Sequence, residues 1–494
     1  MPADQGPGLV GRVRTLVAPR APSAPPSPAI KRMLPWLVAV AFFMESLDTT
    51  ILNTAVPVVA KALAVTPLSM KSVLASYTLS LAVFIPLSGW MADRFGTRRV
   101  FASAIGIFTL GSLLCGLSGN IHLLVACRVL QGLGGAMMVP VGRLTLVRSF
   151  DKSELVRAMS FVAIPALVAP MLGPVTGGLI VGLLHWRVIF FLNIPIGIAG
   201  LVLVFRHLPD YRSRNVKPLD IIGLILFGSG IALLSYVLEI FGENALGTGE
   251  VLLLLAISLV LILGYWLHAT RTQWPLLQPG LFRIRSFAVA SIGGFVTRLG
   301  IGGVPFLLPL LYQVGLGLTP IQSGLLITPQ AIASMSTKFF LPRILDRAGY
   351  RMVLVANTIL LGIFLMLFAA IGPGTPIWLI VLQAFCYGAL TSLQYTSMNT
   401  LVYADVPARR ASNASSIAST TQQLSISFGV AVAGLTTVFF IPDRVRSNPG
   451  ELIHGLHQAF LVLGAFTVLS TIVFSRLKST DGASETRQKD IHLG

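Results

Sequence analysis

Charged residues are scarce in this sequence, at 11% of 494 residues, whereas hydrophobic residues make up 54%. Soluble domains carry about 25% charged residues, because their surfaces face water. A surface that faces lipid cannot hold that much charge, since an unpaired charge in hydrocarbon is costly. The composition therefore excludes an ordinary soluble domain and predicts a chain that lies mostly within a membrane.

Cysteine is nearly absent, and the three that occur, Cys115, Cys127 and Cys386, all fall inside apolar runs. This excludes a disulfide scaffold and a metal site built on cysteine spacing. The sequence also lacks a phosphate-binding loop ending in Gly-Lys-Ser/Thr, an H-E-x-x-H motif and a G-x-S-x-G motif. We therefore expect no enzymatic activity, no catalytic residue, no metal and no organic cofactor.

The net charge is +18, but the cations are not grouped on one face with aromatics between them, as phosphate binding needs. They lie in short loops between apolar runs, so we expect no nucleic-acid partner. Fourteen of these apolar runs have about the length that a helix needs to cross a bilayer, roughly 20 residues, or are longer. We number them helices 1 to 14, at residues 34–57, 71–91, 100–118, 121–146, 156–183, 187–205, 219–241, 250–269, 287–314, 319–342, 352–371, 376–403, 412–441 and 455–475.

The distribution of Lys and Arg predicts the orientation, because cationic loops resist translocation and stay in the cytoplasm. With the N-terminus inside, the inner loops hold most of the cations, and the outer loops hold only Lys61, Lys71, Arg187, Arg444 and Arg446. An even number of helices also places the C-terminal tail inside. We predict a multi-pass protein of the cell inner membrane with both termini in the cytoplasm.

A short motif occurs twice, as M-A-D-R-F-G-T-R up to Arg98 and as I-L-D-R-A-G-Y-R up to Arg351. It follows helix 2 and helix 10, and this shared setting indicates duplication. Two related bundles with a substrate site between them are typical of transporters. We therefore predict an all-α membrane protein with two six-helix bundles, at residues 33–206 and 286–475. A linker with two inserted helices, 207–285, joins the bundles. A disordered cytoplasmic tail, 1–32, precedes them and a second cytoplasmic tail, 476–494, follows them.

Helix 1 carries two acidic residues, Glu45 and Asp48, three positions apart and so on one face. A carboxyl within the membrane can take up a proton on one side and release it on the other, so Asp48 is the candidate for proton coupling. The alternative is a packing hydrogen bond, and for Glu45 a structural role is equally open. Arg128 lies about 10 Å into helix 4, near the estimated depth of Asp48 of about 13 Å, and could stabilise the ionised acid or form a fixed ion pair.

The cytoplasmic loop after helix 2 holds Asp93, Arg94, Gly96 and Arg98, which could form a charge latch or simply a tight basic turn. Asp346 and Arg347 are their equivalents after helix 10. Helix 5 places small residues four apart, at Ala169, Gly173 and Gly177, with Pro174 and Gly178 beside them. This spacing allows close helix contact, and the proline loosens the backbone ladder, which suits a hinge or a seal between bundles.

Arg298 falls about 18 Å into helix 9, and the predicted helices of the second half contain no acid to pair with it. It could attract an anionic substrate group, or bond to helix carbonyls and water. Polar residues could line a substrate path or serve as contacts between helices. The candidates for substrate binding are Asn53, Gln131, Arg298, Gln330 and Gln394.

These motifs together resemble the major facilitator superfamily, and specifically its fourteen-helix drug:proton antiporter branch. The matching stretches are L-D-T-T-I-L-N-T-A-V-P from Leu47, G-W-M-A-D-R-F-G-T-R-R from Gly89, R-V-L-Q-G-L-G-G-A from Arg128, G-P-V-T-G-G from Gly173 and W-R-V-I-F-F-L-N-I-P-I-G from Trp186.

The resemblance implies that Asp48 couples to protons with support from Arg128, and that Gly89 and the loop after it gate the inner side. It also implies that the helix 5 residues mark an antiporter. Two departures are Ala169, where the family commonly has Gly, and the serines of Q-Q-L-S-I-S-F-G in helix 13, where glycines are usual. Family members sometimes work with a periplasmic adaptor, which the short outer loops do not require, and we expect a monomer.

Three functions remain open from the sequence. The first is proton-driven efflux of several amphipathic drugs by alternating access, and the second is export or uptake of one metabolite, such as a peptide, siderophore or lipid precursor, on the same scaffold. The third is a membrane sensor or scaffold that transports nothing. The third leaves the acid, the arginine and the helix 5 motif without a purpose, so we favour the first.

Overall fold

A computed structural model describes residues 28–213, 216–240, 247–407, 410–440, 449–478 and 481. These residues form helices and connecting turns, without a strand among the described ranges. The helices are α1 Pro28–Ala62, α2 Lys71–Phe95, α3 Thr97–Leu117, α4 Ile121–Ser149, α5 Lys152–Leu183, α6 Val188–His207, α7 Ile221–Ile240, α8 Thr248–Arg271, α9 Arg285–Gly315, α10 320–348, α11 350–366, α12 Ile377–Ala404, α13 Ala411–Phe439 and α14 Pro449–Leu469.

The helices correspond one to one with the fourteen predicted ones, and the all-α architecture is confirmed. Twelve segments of the described chain are each long and apolar enough to span a membrane. Two helices are not among the twelve. The apolar stretch of α5 is shorter, Val168–Leu183, and α10 continues past a break at Gly349 into α11, where the span is Arg343–Ala370. The first helix starts at Pro28, inside the stretch predicted as tail, and Lys31 bonds to Glu154 at 2.7 Å. Most of both predicted tails lies outside the described residues.

The internal repeat is visible in the backbone. Gly96 and Gly349 end the D-R-x-G motifs, and both adopt left-handed conformations, with φ of 96° and 70°. Ala64 and Gly317, before α2 and α10, form a second matched pair at φ 54° and 69°. Glycine tolerates such angles without the steric cost that a side chain brings. We call the side with Gly96 and Gly349 the basic end, and the side with Ala64 and Gly317 the opposite end.

The apolar core shows how the two bundles meet. One cluster joins both bundles toward the opposite end and includes Val56 of α1 and Phe306 of α9. Toward the basic end the core divides, with one cluster around Phe42 in the first bundle and another around Phe287 in the second. The bundles are therefore packed together at the opposite end and have separate cores near the basic end.

The inserted helices α7 and α8 pack on one flank of this pair of bundles. Phe227 and Ile231 of α7 contact Ala82 of α2 together with Leu424 and Phe428 of α13. The inserted pair thus covers the seam where α2 and α13 meet. Large apolar side chains point outward from both helices, as expected for a surface that faces lipid, at Ile221, Ile222, Ile225, Leu253, Leu259, Val260 and Leu263.

Asp220 joins the inserted helices at the basic end. Its carboxylate contacts His268 Nε2 of α8 at 2.7 Å and accepts hydrogen bonds from the backbone N–H groups of Gly223 and Leu276, at 2.8 and 3.0 Å. Burial alone raises the pKa of this carboxyl, but these bonds outweigh it, so the pKa lies below its ordinary value. Its contribution to stability is therefore present above the unfolded pKa of about 3.9 and is lost as the pH falls below it.

We expect Asp220→Ala to lower the apparent Tm of the purified protein by several degrees at pH 7. The substitution leaves the backbone N–H groups of Gly223 and Leu276 without their acceptor, and each lost partner destabilises the fold by about 1–3 kcal/mol. The difference from the unmodified protein should shrink as the pH falls below about 4. Thermal unfolding across pH 3–8 measures both effects. Asp346→Ala, which removes an exposed aspartate, is the control, and an equal loss in both variants would contradict the prediction.

Candidate functional site

A buried ion pair connects α1 and α4 in the middle of the first bundle. Arg128 Nη1 donates to Asp48 Oδ2 at 2.6 Å, and the two residues are only 2% and 1% exposed. Asp48 lies fourteen residues, or about 21 Å, from the end of α1 at Ala62. Sequence depth alone suggested this pairing, and the structure brings the two side chains together.

Two amides complete the surroundings of the carboxylate. Gln131 Nε2 and Asn193 Nδ2 each donate to Asp48 Oδ1 at 2.9 Å, while Gln131 Oε1 accepts from Arg128 Nη1 at 2.8 Å. Asn193 also donates to Ser112 Oγ at 3.0 Å. The residues come from α1, α3, α4 and α6, so a change of charge on Asp48 acts on four helices at once.

The guanidinium of Arg128 is held between aromatic rings. It lies 4.9 Å from the ring centre of Phe190 and 5.3 Å from that of Tyr77. Its Nε is buried without a hydrogen-bond partner. Apart from its bonds to Asp48 and Gln131, the guanidinium contacts aromatic rings. It therefore depends mainly on Asp48 for charge compensation.

Glu45 lies one turn of α1 from Asp48 toward the basic end. Its side chain is half-buried, and its backbone oxygen accepts from Thr49 Oγ1 at 2.8 Å. Among the described residues its carboxylate has no partner at ion-pair distance. Arg143 of α4 is the nearby cation in the same bundle, and its guanidinium lies 5.6 Å from the ring centre of Phe42. Glu45 is thus near the ion pair without being part of it.

A cavity of about 210 Å³ lies between the two bundles next to this ion pair. Both bundles contribute to its wall, which combines aromatic rings with a few polar groups. Arg128 reaches it from the first bundle, so the ion pair and the cavity are in direct contact. The wall includes Thr49, Asn53, Tyr77, Phe306, Gln330, Tyr387, Thr391 and Tyr395.

The structure separates the residues that were predicted to bind substrate. Asn53 and Gln330 line the cavity. Gln131 does not line the cavity: it is fully buried and forms hydrogen bonds with Asp48 and Arg128. Gln394 is also fully buried, where its side chain bonds to Asn357 and Thr358 of α11 at 2.8 and 2.7 Å, so it lies away from the cavity wall.

Arg298 of α9 is buried beside the cavity. Its Nη2 donates to Asn399 Oδ1 at 2.8 Å, and its guanidinium lies 5.2 Å from the ring centre of Tyr395, which lines the cavity. From the sequence we considered that Arg298 attracts an anionic substrate group or bonds to helix carbonyls and water. In the structure its acceptor is the side-chain amide of Asn399 in α12 rather than a helix carbonyl.

The small residues of α5 pack on two neighbours, α1 in the same bundle and α10 in the other bundle. A Cβ on Gly173 would collide with Thr50 of α1, and one on Gly178 would collide with the Pro320 carbonyl of α10. A Cβ on Gly324 of α10 would likewise collide with the Pro174 carbonyl of α5. Close backbone approach therefore requires glycine on both sides of the seam between α5 and α10. Gly173 and Gly177, the latter against Ile51, pack on α1 within the first bundle, and Ala169 is fully buried.

The turn after α2 is held by groups from two other parts of the first half. Asp93 contacts Arg148 Nη2 of α4 at 2.5 Å, and Ser213 N donates to the Asp93 carbonyl at 3.2 Å. A Cβ on Gly96 would collide with the Asp210 carboxylate, which accepts from the Arg98 N–H at 3.2 Å. The segment after α6 thus lies across the candidate gating loop.

The other candidate gating residues have open surroundings in this structure. Arg94 is exposed, and a Cβ on Gly89 would meet nothing within 4 Å. Asp346 and Arg347 are exposed at the corresponding turn of the second bundle. Their surroundings contrast with the tightly packed glycines of the α5–α10 seam at the opposite end.

Sequence reasoning missed Asn193, Ser112 and Arg148 as members of these sites. The available signal for Asn193 was an amide within the apolar run F-F-L-N-I-P. Arg148 was visible only as one of many basic loop residues. Neither carries a spacing that identifies its partner, because Asn193 and Asp48 are 145 positions apart.

The family model of the Major Facilitator Superfamily matches residues 38–430 and again 290–493. The chain belongs to this superfamily. Relatives include the "Putative multidrug resistance protein MdtD" of Pectobacterium atrosepticum, 39% identical over 91% of this chain and 96% of the relative. The protein of that description from Salmonella heidelberg is 40% identical over 90% of this chain and 94% of its own length.

Solved structures of other transporters share the fold. The POT family transporter PepTSo aligns with a TM-score of 0.67 at 16% identity, over 95% of this chain and 99% of its own. A bacterial homologue of the human lysosomal transporter Spinster aligns with a TM-score of 0.62 at 15% identity, over 94% and 99% of the two chains. This Major Facilitator Superfamily protein is thus a multi-pass membrane transporter rather than an enzyme.

Proposed function

We propose that this transporter exports amphipathic organic molecules from the cytoplasm in exchange for protons, by alternating access across the cell inner membrane. The observation that carries the proposal is the pair of Asp48 and Arg128, buried in the first bundle and in contact with the cavity between the bundles. An acid at this depth is energetically costly, and acids within membrane helices usually have a function, of which proton relay is a common example. The names of the MdtD relatives support drugs as the substrate class.

Asp48 would carry the proton, and its partners would report its charge. Protonation removes the charge that compensates Arg128, which frees the guanidinium toward the cavity. Deprotonation restores the ion pair, with Gln131 and Asn193 again donating to the carboxylate. Because the four helices around Asp48 share these bonds, binding a proton can favour one arrangement of the bundle over another.

The seams at the two ends would provide the alternating gates. The contacts of Gly178 with Pro320 and of Gly324 with Pro174 close the opposite end, which we assign to the periplasm from the positive-inside rule. Both termini would then be cytoplasmic. At the basic end Asp93 is paired within its own bundle, with Arg148. This arrangement suits a state that takes up its solute from the cytoplasm, and we expect a monomer to suffice.

Proton flux in proteoliposomes tests the proposal. Purified protein is reconstituted with a pH-sensitive dye inside, and candidate cationic and zwitterionic aromatic compounds are added. We expect each transported compound to move protons in the direction opposite to its own movement. Solute counterflow without any proton movement would refute the exchange, and absence of both for a broad panel would favour a scaffold. Movement of a single metabolite only would favour the dedicated transporter.

A further inference from the structure

The internal repeat places two opposite charges at matched positions in the two bundles, each one helical turn from a residue that lines the cavity. Gly96 and Gly349 are 253 positions apart (349 − 96), as are the N-capping residues Thr66 and Thr319, which accept from Ser69 N and Gln322 N and precede prolines. The same interval relates Thr49 to Gly302, which both line the cavity. Four residues before each of these, on the same helical face, are Glu45 of α1 and Arg298 of α9.

Arg298 has few partners for a buried cation. It is 5% exposed and donates to one neutral acceptor, Asn399 Oδ1, although a guanidinium carries five N–H donors. Among the described residues no carboxylate lies within ion-pair distance of it. Arg128, at comparable burial, has the Asp48 carboxylate at 2.6 Å. A buried guanidinium without an anion is costly, so Arg298 is suited to receive an anionic group from a ligand.

Glu45 provides the complementary charge in the other bundle. Its half-buried carboxylate lies one turn from Thr49 of the cavity wall and makes no ion pair with a described residue. Arg143, its neighbouring cation, is exposed and faces Phe42. The cavity wall itself is partly aromatic, and the rings of Tyr77, Tyr387 and Tyr395 can contact the apolar body of a solute.

We propose that Glu45 and Arg298 are the two charged ends of one binding site for zwitterionic aromatic compounds. Arg298 takes the carboxylate of the solute and Glu45 takes its ammonium, while the tyrosines contact the ring system. The site rests on the proposed transport function and specifies its substrate class. It is separate from the proton site, because Asp48 and Arg128 already neutralise each other.

Binding of three probes with one ring system tests this site. They are 2-naphthylalanine (zwitterion), 2-naphthylethylamine (cation) and 3-(2-naphthyl)propanoate (anion), titrated calorimetrically into purified protein without a gradient. We expect the zwitterion to bind tightest. Arg298→Gln should weaken binding of the zwitterion and the anion about ten-fold or more, or about 1.4 kcal/mol, because a charge-assisted hydrogen bond is lost. It should leave binding of the cation within about two-fold. Glu45→Gln should weaken the zwitterion and the cation instead.

Three further variants keep the test decisive. Lys338→Gln removes another half-buried cation, which lies about 12 Å along α10 from Gln330 of the cavity wall, and should change none of the three affinities. Arg298→Met keeps an apolar stem of similar length and replaces Arg298→Gln if that variant does not fold. Arg298→Lys retains a charge and should preserve the preference for anions.

Two results would overturn the proposal. One is unchanged binding of all three probes by Arg298→Gln or Arg298→Met. The other is equal weakening of all probes by both single substitutions, restored when Glu45→Arg and Arg298→Glu are combined, which would mean that the two residues pair with each other across the cavity. Because calorimetry needs no proton gradient, selective binding without proton exchange would refute only the transport cycle, and proton exchange without selectivity would refute only this site.

Discussion

Asp48→Asn is expected to abolish proton-driven export, to the level of protein-free vesicles, while the protein remains folded in the membrane. The amide has nearly the shape of the carboxylate but cannot bind and release a proton near neutral pH. The amide oxygen can still accept from Arg128, and Asn193 can turn its own amide to accept from the new N–H. The buried guanidinium loses its anion, so we expect the apparent Tm to fall by several degrees while the helices remain in the membrane. Substrate counterflow without a gradient should persist, because the amide resembles the protonated acid.

The measurement compares gradient-driven export and counterflow in the same proteoliposomes. Glu154→Gln is the matched control, because it also removes one carboxylate from an ion pair, but an exposed one with Lys31. Such surface pairs contribute about 0–1 kcal/mol, so this variant should export within about two-fold of the unmodified protein. Gradient-driven export by Asp48→Asn at the unmodified rate would show that protons are carried elsewhere, even with the fold intact.

The architecture was predictable because lipid imposes a simple rule on each helix. An apolar run of about 20 residues must be helical to satisfy its backbone, whatever its neighbours are. The D-R-x-G repeat added the relation between the bundles, and the left-handed Gly96 and Gly349 give its physical reason. Helix ends were less predictable, as Pro28 and Gly349 show, because a helix can continue past the membrane into polar sequence.

The candidate site was predictable only in part, for a related reason. Asp48 and Arg128 stand out because charges within apolar runs are rare, and similar depths suggested a pair. Their contact depends on how α4 packs, including Gly132, where a Cβ would collide with Ser80 and with the Tyr77 carbonyl of α2. Neutral amides carry no such signal, so Asn193 was missed and Gln394 was assigned to the cavity although its partners are in α11.

Gly178→Val is expected to reduce export to less than about one-tenth by preventing closure of the opposite end. A Cβ at this position would collide with the Pro320 carbonyl, and backbone cannot move aside as a flexible side chain can. The helices α5 and α10 would have to separate along their seam. Gly324→Val makes the reciprocal collision, with the Pro174 carbonyl, and should have the same effect.

Accessibility of the cavity from the opposite side distinguishes a seal that cannot close from a protein that does not fold. Asn53→Cys places a thiol in the cavity wall, and a membrane-impermeant maleimide added from that side should label it faster when Gly178→Val is also present. Gly106→Val is the control, since a Cβ there meets nothing within 4 Å, and both its labelling and its export should match the protein with Gly106. If Gly178→Val is well folded but labels slowly and still exports, α5 and α10 do not form the seal, and Gly178 contributes to helix packing alone.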